Sequence, residues 1–215
     1  MPPALLAVPV LAHLALPWVL RRVAERGGRV AWLVRGRVDA AYGWTTVALG
    51  VLAVLAAAAA GTGHPALLRP PHWLWPVLAV VAGAGCPLLA AGLAGRPRRF
   101  ARRSGAVPRV VLCAAGEEAL WRLAAFGGLS QAGLPEPVAG AVAVLGFAVL
   151  HVPRAGRRAV PYLVVLGTLL TALAALGGLL AAVLCHSGHN LVLSATARRR
   201  SGRAPAGLPP SRTWS

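Results

Sequence analysis

This sequence predicts an all-α fold: a polytopic membrane bundle of about seven transmembrane helices, N-terminus outside and C-terminus cytoplasmic. Three observations predict it. The first is composition: 57% of the 215 residues are hydrophobic and 13% are charged, against roughly 25% charged in soluble domains. A soluble domain of this size could not bury that much apolar surface, and a disordered chain shows the opposite bias. The second is a series of apolar stretches near the roughly 20 residues that a bilayer span needs. The third is the placement of arginine, the only basic residue type other than His in the chain.

Taken in order, residues 4–20, 40–60, 74–94 and 110–129 each suffice for a span. The stretch 138–152 is shorter and is bounded by Pro135, Pro137 and Pro153. Residues 161–197 are too many for one span. The pair Gly177-Gly178 divides them into 161–176 and 178–197, because adjacent glycines favour a turn over a helix interior.

Arginine tests this division independently. The successive connections and the tail hold 6, 1, 6, 0, 3, 0 and 5 Arg residues: Arg21 to Arg37, Arg69, Arg96 to Arg109, none, Arg154 to Arg158, none, and Arg198 to Arg212. Arginine marks the cytoplasmic side, so the alternation assigns every connection. The N-terminus is uncharged and its Arg cluster follows the first apolar stretch, the reverse of a cleaved signal peptide. The tail 198–215, rich in Arg, Pro, Gly and Ser, reads as a disordered cytoplasmic extension.

A net charge of +17 on a soluble domain would suggest nucleic acid. Here the charge falls in short clusters between apolar stretches, which suits anionic lipid; no nucleic-acid partner is expected. The Lys-free, Ala/Gly/Arg/Pro-rich composition points to a GC-rich bacterial genome, and so to a bacterial cell membrane. Cys86, Cys113 and Cys185 stand alone in apolar stretches and read as small buried hydrophobes. Trp18, Trp44, Trp73 and Trp75 lie at expected membrane boundaries, as an interfacial belt does, and His13 reads as scaffold.

Polar residues inside the apolar stretches carry the functional signal. Arg122, Glu117 and Glu118 share the fourth stretch, where each costs about 2.5–3.5 kcal/mol at a helix centre on insertion scales. His151 ends the fifth; His186, His189 and Asn190 lie in the seventh. Glu118 and Arg122 are i,i+4 and stack as an ion pair. Glu117 sits about 100° round the helix, which leaves it free to act as a base. Depths of about 12 Å for Glu117, 5 Å for His151, 18 Å for His186 and 12 Å for Asn190, at 1.5 Å per residue, let the four converge in the cytoplasmic half of the bilayer.

Glu117-Glu118-Ala-Leu-Trp-Arg122 fits EExxxR, Phe147-Ala-Val-Leu-His151 fits FxxxH, and His186-Ser-Gly-His-Asn190 fits HxxxN. In this order on successive polar helices, they resemble the CPBP family of intramembrane proteases. That family takes in the type II CAAX prenyl endopeptidases and the bacteriocin-processing or self-immunity proteins. The resemblance covers roughly residues 110–197; Leu123 departs from it, since the family often has Gly there.

The resemblance implies hydrolysis of a peptide bond in a membrane-anchored peptide or protein near the cytoplasmic membrane surface. Glu117 activates a water with the aid of His151, while His186 and Asn190 stabilise the oxyanion; Glu118 and Arg122 are structural support. Buried carboxylates and preorganised donors are suited to such work. His151 and His186, with the carboxylate, are also of the types that hold Zn²⁺, though HExxH is missing. A metal-free, Glu-activated water is equally consistent. The implied organisation is a three-helix membrane region at 1–109, a four-helix region at 110–197 that carries the motifs, and the tail. A catalytically silent scaffold or immunity protein and a proton-coupled transporter are the alternatives; crowding of polar residues into one half argues against the second.

Overall fold

The computed structural model describes residues 4–26, 37–61, 67–68, 72–93 and 107–196, and every regular element among them is helical. Arg29, Arg35, Arg69, Arg96, Arg98, Arg99, Arg102, Arg103 and the tail 198–215 lie outside the described residues. The elements are α1 (Ala4–Glu25), α2 (Val38–Ala59), α3 (Leu74–Leu93) and α4 (Val107–Glu118), then a π-helical segment (Ala119–Gly127) and α5 (Gly128–Gln131). After these come α6 (Glu136–Leu150), the short α7 (Val152–Ala155), a 3₁₀ turn (Arg157–Ala159) and α8 (Val160–Thr196). Helices prevail because lipid offers the backbone no hydrogen-bond partner, so each segment must satisfy its own N–H and C=O groups.

On α2 and α3, side chains are distributed in the reverse of a soluble core. The buried face of α2 is Tyr42, Gly43, Thr46, Gly50, Ala53 and Ala57, while Val51, Leu52, Val54 and Leu55 face outward. On α3 the buried residues are Ala79, Gly83, Pro87 and Ala91, one every four positions. Lipid is as apolar as leucine, so large hydrophobic residues gain nothing by facing inward. Small residues at the interface instead let helix backbones approach closely. The chain is a multi-pass membrane protein.

Among the described residues, five helices are long and apolar enough to cross a membrane: Leu5–Glu25, Val38–Ala59, Leu74–Leu93, Glu136–Ala155 and Arg157–Ala195. The difference from seven has two sources. The fourth stretch is helical, but it carries three ionisable residues and divides into α4, the π segment and α5. The sixth and seventh form one continuous element, α8, interrupted at Gly178 (φ 80, ψ 169). That left-handed φ is open to glycine and strained for other residues. The Leu179 N–H donates to the Leu67 carbonyl at 2.8 Å, tying the break to a neighbouring segment.

The break reverses the chain. Tyr162 Oη and His189 Nε2, both on α8, are 2.7 Å apart, whereas 27 residues of unbroken helix would separate them by about 40 Å. Two antiparallel arms therefore meet at Gly178, where the paired glycines predicted a turn.

The polar fourth helix is held centrally. At Gly116 a Cβ would come within 2.8 Å of the Thr46 carbonyl oxygen, and at Gly50 within 2.5 Å of the Gly116 Cα. Only glycine at both positions lets α2 and α4 touch backbone to backbone, and this brings the start of α2 alongside Glu117. Arg154 Nη2 reaches Asp39 Oδ1 at 3.1 Å, and the space beside Gly43 is filled by the Arg109 side chain. Arg109 and Arg154, from the third and fifth connections, thus both reach the start of α2, which follows the first.

Candidate active site

α4 delivers two adjacent carboxylates to the centre, and the π segment follows at once. Its nine residues are all buried. A π-helix shifts the bonding from i→i+4 to i→i+5, re-aiming side chains; such segments are rare and occur often at functional sites. The sequence carries no signal for it.

Glu118 and Arg122 are both fully buried, with Arg122 Nε 3.3 Å from Glu118 Oε2. Arg122 Nη2 donates to the Gly167 carbonyl at 3.2 Å, and its guanidinium lies 5.1 Å from the Phe147 ring centre. The cation therefore bridges α4, α6 and the first arm of α8. Glu118 has a second partner: its Oε1 lies 2.7 Å from His186 Nδ1. The pair thus orients a histidine as well as bracing the bundle.

Glu117 faces the other way, as its position round the helix predicts. Its Oε1 accepts the Tyr42 hydroxyl at 2.8 Å, with Cys113 Sγ 3.7 Å away. Its Oε2 is buried and, among the described residues, has no hydrogen-bond partner. His186 Nε2 stands 3.5 Å from that oxygen, and His151 Nε2 stands 3.8 Å from it.

Ring partners settle the tautomers. His151 Nδ1 lies 2.8 Å from the Phe147 carbonyl oxygen, which can only accept. His186 Nδ1 likewise faces a carboxylate oxygen. Both Nδ1 atoms therefore carry hydrogen, and in the neutral rings both Nε2 atoms present lone pairs. Two imidazole nitrogens thus face one carboxylate oxygen, an arrangement that a proton donor between them would satisfy. Phe147 seats both rings, its centre 4.7 Å from that of His151 and 5.7 Å from that of His186.

The donor types are those of zinc. However, among the described residues no group of three or more His, Cys, Asp or Glu side chains is arranged to hold a metal ion.

The structure thus brings Glu117, Glu118, Arg122, His151 and His186 together. Asn190 is held differently: its Oδ1 accepts from His189 Nδ1 at 3.0 Å, and His189 Nε2 faces Tyr162. His189 is thereby a hydrogen-bonding residue that orients the Asn190 amide.

His13, read from the sequence as scaffold, is instead buried beside the site. It lies 3.2 Å from Tyr42 Oη, 3.2 Å from Thr46 Oγ1 and 3.2 Å from Trp121 Nε1. Tyr42 and Trp121 carry no comparable signal in the sequence. A lone polar residue within an apolar helix was the one available signal, and His13 gave it.

The His151 side chain is 17% exposed where that of Glu117 is 3%. Nearby, Pro17, Leu20, Arg21, Val38, Tyr42, Pro153 and Arg154 line a cavity of about 10 Å³, room for roughly one water. Arg154 caps Tyr42 there, its guanidinium 4.4 Å from the ring centre.

Residues 104–192 match the family described as type II CAAX prenyl endopeptidase Rce1-like. No match was found among curated proteins or among solved structures. The matched segment contains Glu117, Glu118, Arg122, His151, His186 and Asn190, and over these residues the chain is similar to a family of proteases.

Proposed function

We propose that this protein is an intramembrane endopeptidase that cleaves a membrane-anchored peptide or protein near the cytoplasmic surface of a bacterial cell membrane. The observation that carries this is the unpartnered Glu117 Oε2 facing His151 Nε2 and His186 Nε2 at 3.8 and 3.5 Å. A water placed among them donates one hydrogen to Glu117 Oε2 and the other to an imidazole. Glu117 takes the first proton as the water oxygen adds to the scissile carbonyl carbon. The proton then passes to the departing amine nitrogen as the C–N bond breaks, returning Glu117 to its carboxylate.

The oxyanion needs donors. Asn190 supplies its Nδ2 hydrogens, since His189 holds the amide by its oxygen. His186 donates from Nε2 when it carries a second proton, with Glu118 compensating the charge as the acid does in a Ser-His-Asp triad. The substrate class is a membrane-tethered chain, with a CAAX-type protein and a bacteriocin-like peptide both within it.

The test is cleavage of a membrane-tethered peptide by purified protein in liposomes, with and without a strong zinc chelator. Cleavage unaffected by the chelator is expected. Activity lost to the chelator and restored by added Zn²⁺ would replace the water-only mechanism with a metal-assisted one, and no cleavage of any tethered peptide would favour a silent scaffold.

The seven-span path is part of the same reading and is supported by the Arg-bearing ends meeting at Asp39–Arg154. Reporter fusions after Arg109 and after Gly133 are expected to report cytoplasm and exterior respectively. The same side for both would overturn the topology.

A further inference from the structure

Glu117 has two oxygens in different circumstances, and the difference traces back to α1 and α2. The Trp121 indole N–H can only donate, and it lies 3.2 Å from His13 Nδ1. That nitrogen must therefore accept, which places the hydrogen of a neutral His13 on Nε2. His13 Nε2 in turn faces two oxygens at 3.2 Å, Tyr42 Oη and Thr46 Oγ1. With its oxygen accepting from His13, Tyr42 turns its own hydrogen to Glu117 Oε1 at 2.8 Å. Every donor in the series Trp121, His13, Tyr42, Glu117 points the same way. Hydrogen bonds in such a chain polarise one another in a low-dielectric interior.

We infer that His13 and Tyr42 are positioning residues that fix the Glu117 carboxylate, occupying Oε1 so that Oε2 alone is presented to the reacting water. Burial supports this: His13, Thr46 and Tyr42 are 0%, 0% and 2% exposed, so water cannot take over their hydrogen bonds. The backbone contact between Gly50 and Gly116 holds α2 at the required distance. Membrane packing alone would fill these positions with small or apolar residues, and three polar side chains joined in one direction are not needed for it. The inference rests on Glu117 being the base, and the test separates the two.

Infrared spectra of wild type minus Glu117→Gln assign the Glu117 carboxylate band without any substrate. In Tyr42→Phe, which keeps the ring under Arg154 and removes the hydroxyl, that band is expected to shift. Its kcat is expected to fall about 10- to 100-fold, the size of one hydrogen bond to a charged group. KM is expected to stay close to wild type, because the hydroxyl acts on the carboxylate and not on the substrate, and any fall in melting temperature is expected to be too small to account for the kcat loss.

His13→Gln and His13→Leu repeat the test one step further out. Gln keeps an N–H facing Tyr42 and is expected to hold the band and kcat near wild type, while Leu shifts both. An unmoved band and unchanged kcat in Tyr42→Phe would overturn the assignment, as would a kcat loss explained wholly by a lower melting temperature. So would indistinguishable Gln and Leu variants at position 13. If Glu117→Gln proves fully active, the base assignment fails, and the infrared comparison still decides whether Tyr42 and His13 set the carboxylate.

Discussion

Glu117→Gln protein is expected to fold as the wild type does and to cleave a membrane-tethered peptide at least about 10²–10⁴-fold more slowly, the usual loss when a general base is removed. The geometry explains why stability is spared. The glutamine oxygen still accepts the Tyr42 hydroxyl, which binds Glu117 Oε1 at 2.8 Å. Its amide N–H₂ then takes the place of Oε2 and donates toward the lone pairs of His151 and His186, now 3.8 and 3.5 Å from that oxygen. What is lost is the basic oxygen. His151→Ala and His186→Ala are expected to be similarly inactive, and double variants no worse than singles, because groups acting on one water are not additive. Cleavage rates in liposomes beside thermal melts read both quantities. Full activity in Glu117→Gln removes the mechanism, and a melt that collapses with the activity returns Glu117 to a structural role.

Arg122→Ala is expected to lose about 3–5 kcal/mol, the penalty for breaking a buried ion pair from one side. Glu118 would be left charged and fully buried, with His186 as its remaining polar partner. The Gly167 carbonyl would lose one donor and keep the Thr171 hydroxyl at 2.9 Å. A fall in melting temperature of roughly 10 °C is the corresponding scale for a chain of this length. Glu118→Ala is expected to be at least as damaging, since it strands the Arg122 cation and also frees His186 Nδ1. Pairing Arg122→Met with Glu118→Gln removes both charges and is expected to recover much of the stability. An Arg122→Ala protein that melts with the wild type yet fails to cleave would mean that Arg122 acts on the reaction and does not brace the helices.

Much of the site is legible along single helices. Glu118–Arg122 and the Phe147 carbonyl–His151 ring contact both span four residues, the repeat of one turn. Positions 117 and 118, about 100° apart, do face different partners. The reversal at Gly178 is legible too, because its left-handed backbone is a local property of the residue. Asn190 shows the boundary of such reasoning. Its spacing from His186 places it on the same face, yet the hydrogen bond that orients it comes from its neighbour His189, itself held by Tyr162 on the opposite arm of α8.

Composition, the arginine alternation and the three spaced motifs by themselves determined that the chain is an all-helical membrane protein and where its polar centre lies. These features depend on the solvent and on contacts within one or two turns, which periodicity records. Only the tertiary structure decided that Tyr42, 75 positions before Glu117, bonds its carboxylate and is itself met by His13, and that the fourth helix continues as a π-helix. The reason is physical. In a soluble protein the polar face of a helix shows which side looks outward. In lipid, the outward Val51, Leu52 and Leu55 are as apolar as any core residue, so hydrophobicity does not report how a helix is rotated against its neighbours. That rotation is set by where small residues such as Gly50 and Gly116 let two backbones touch, a condition on two helices at once.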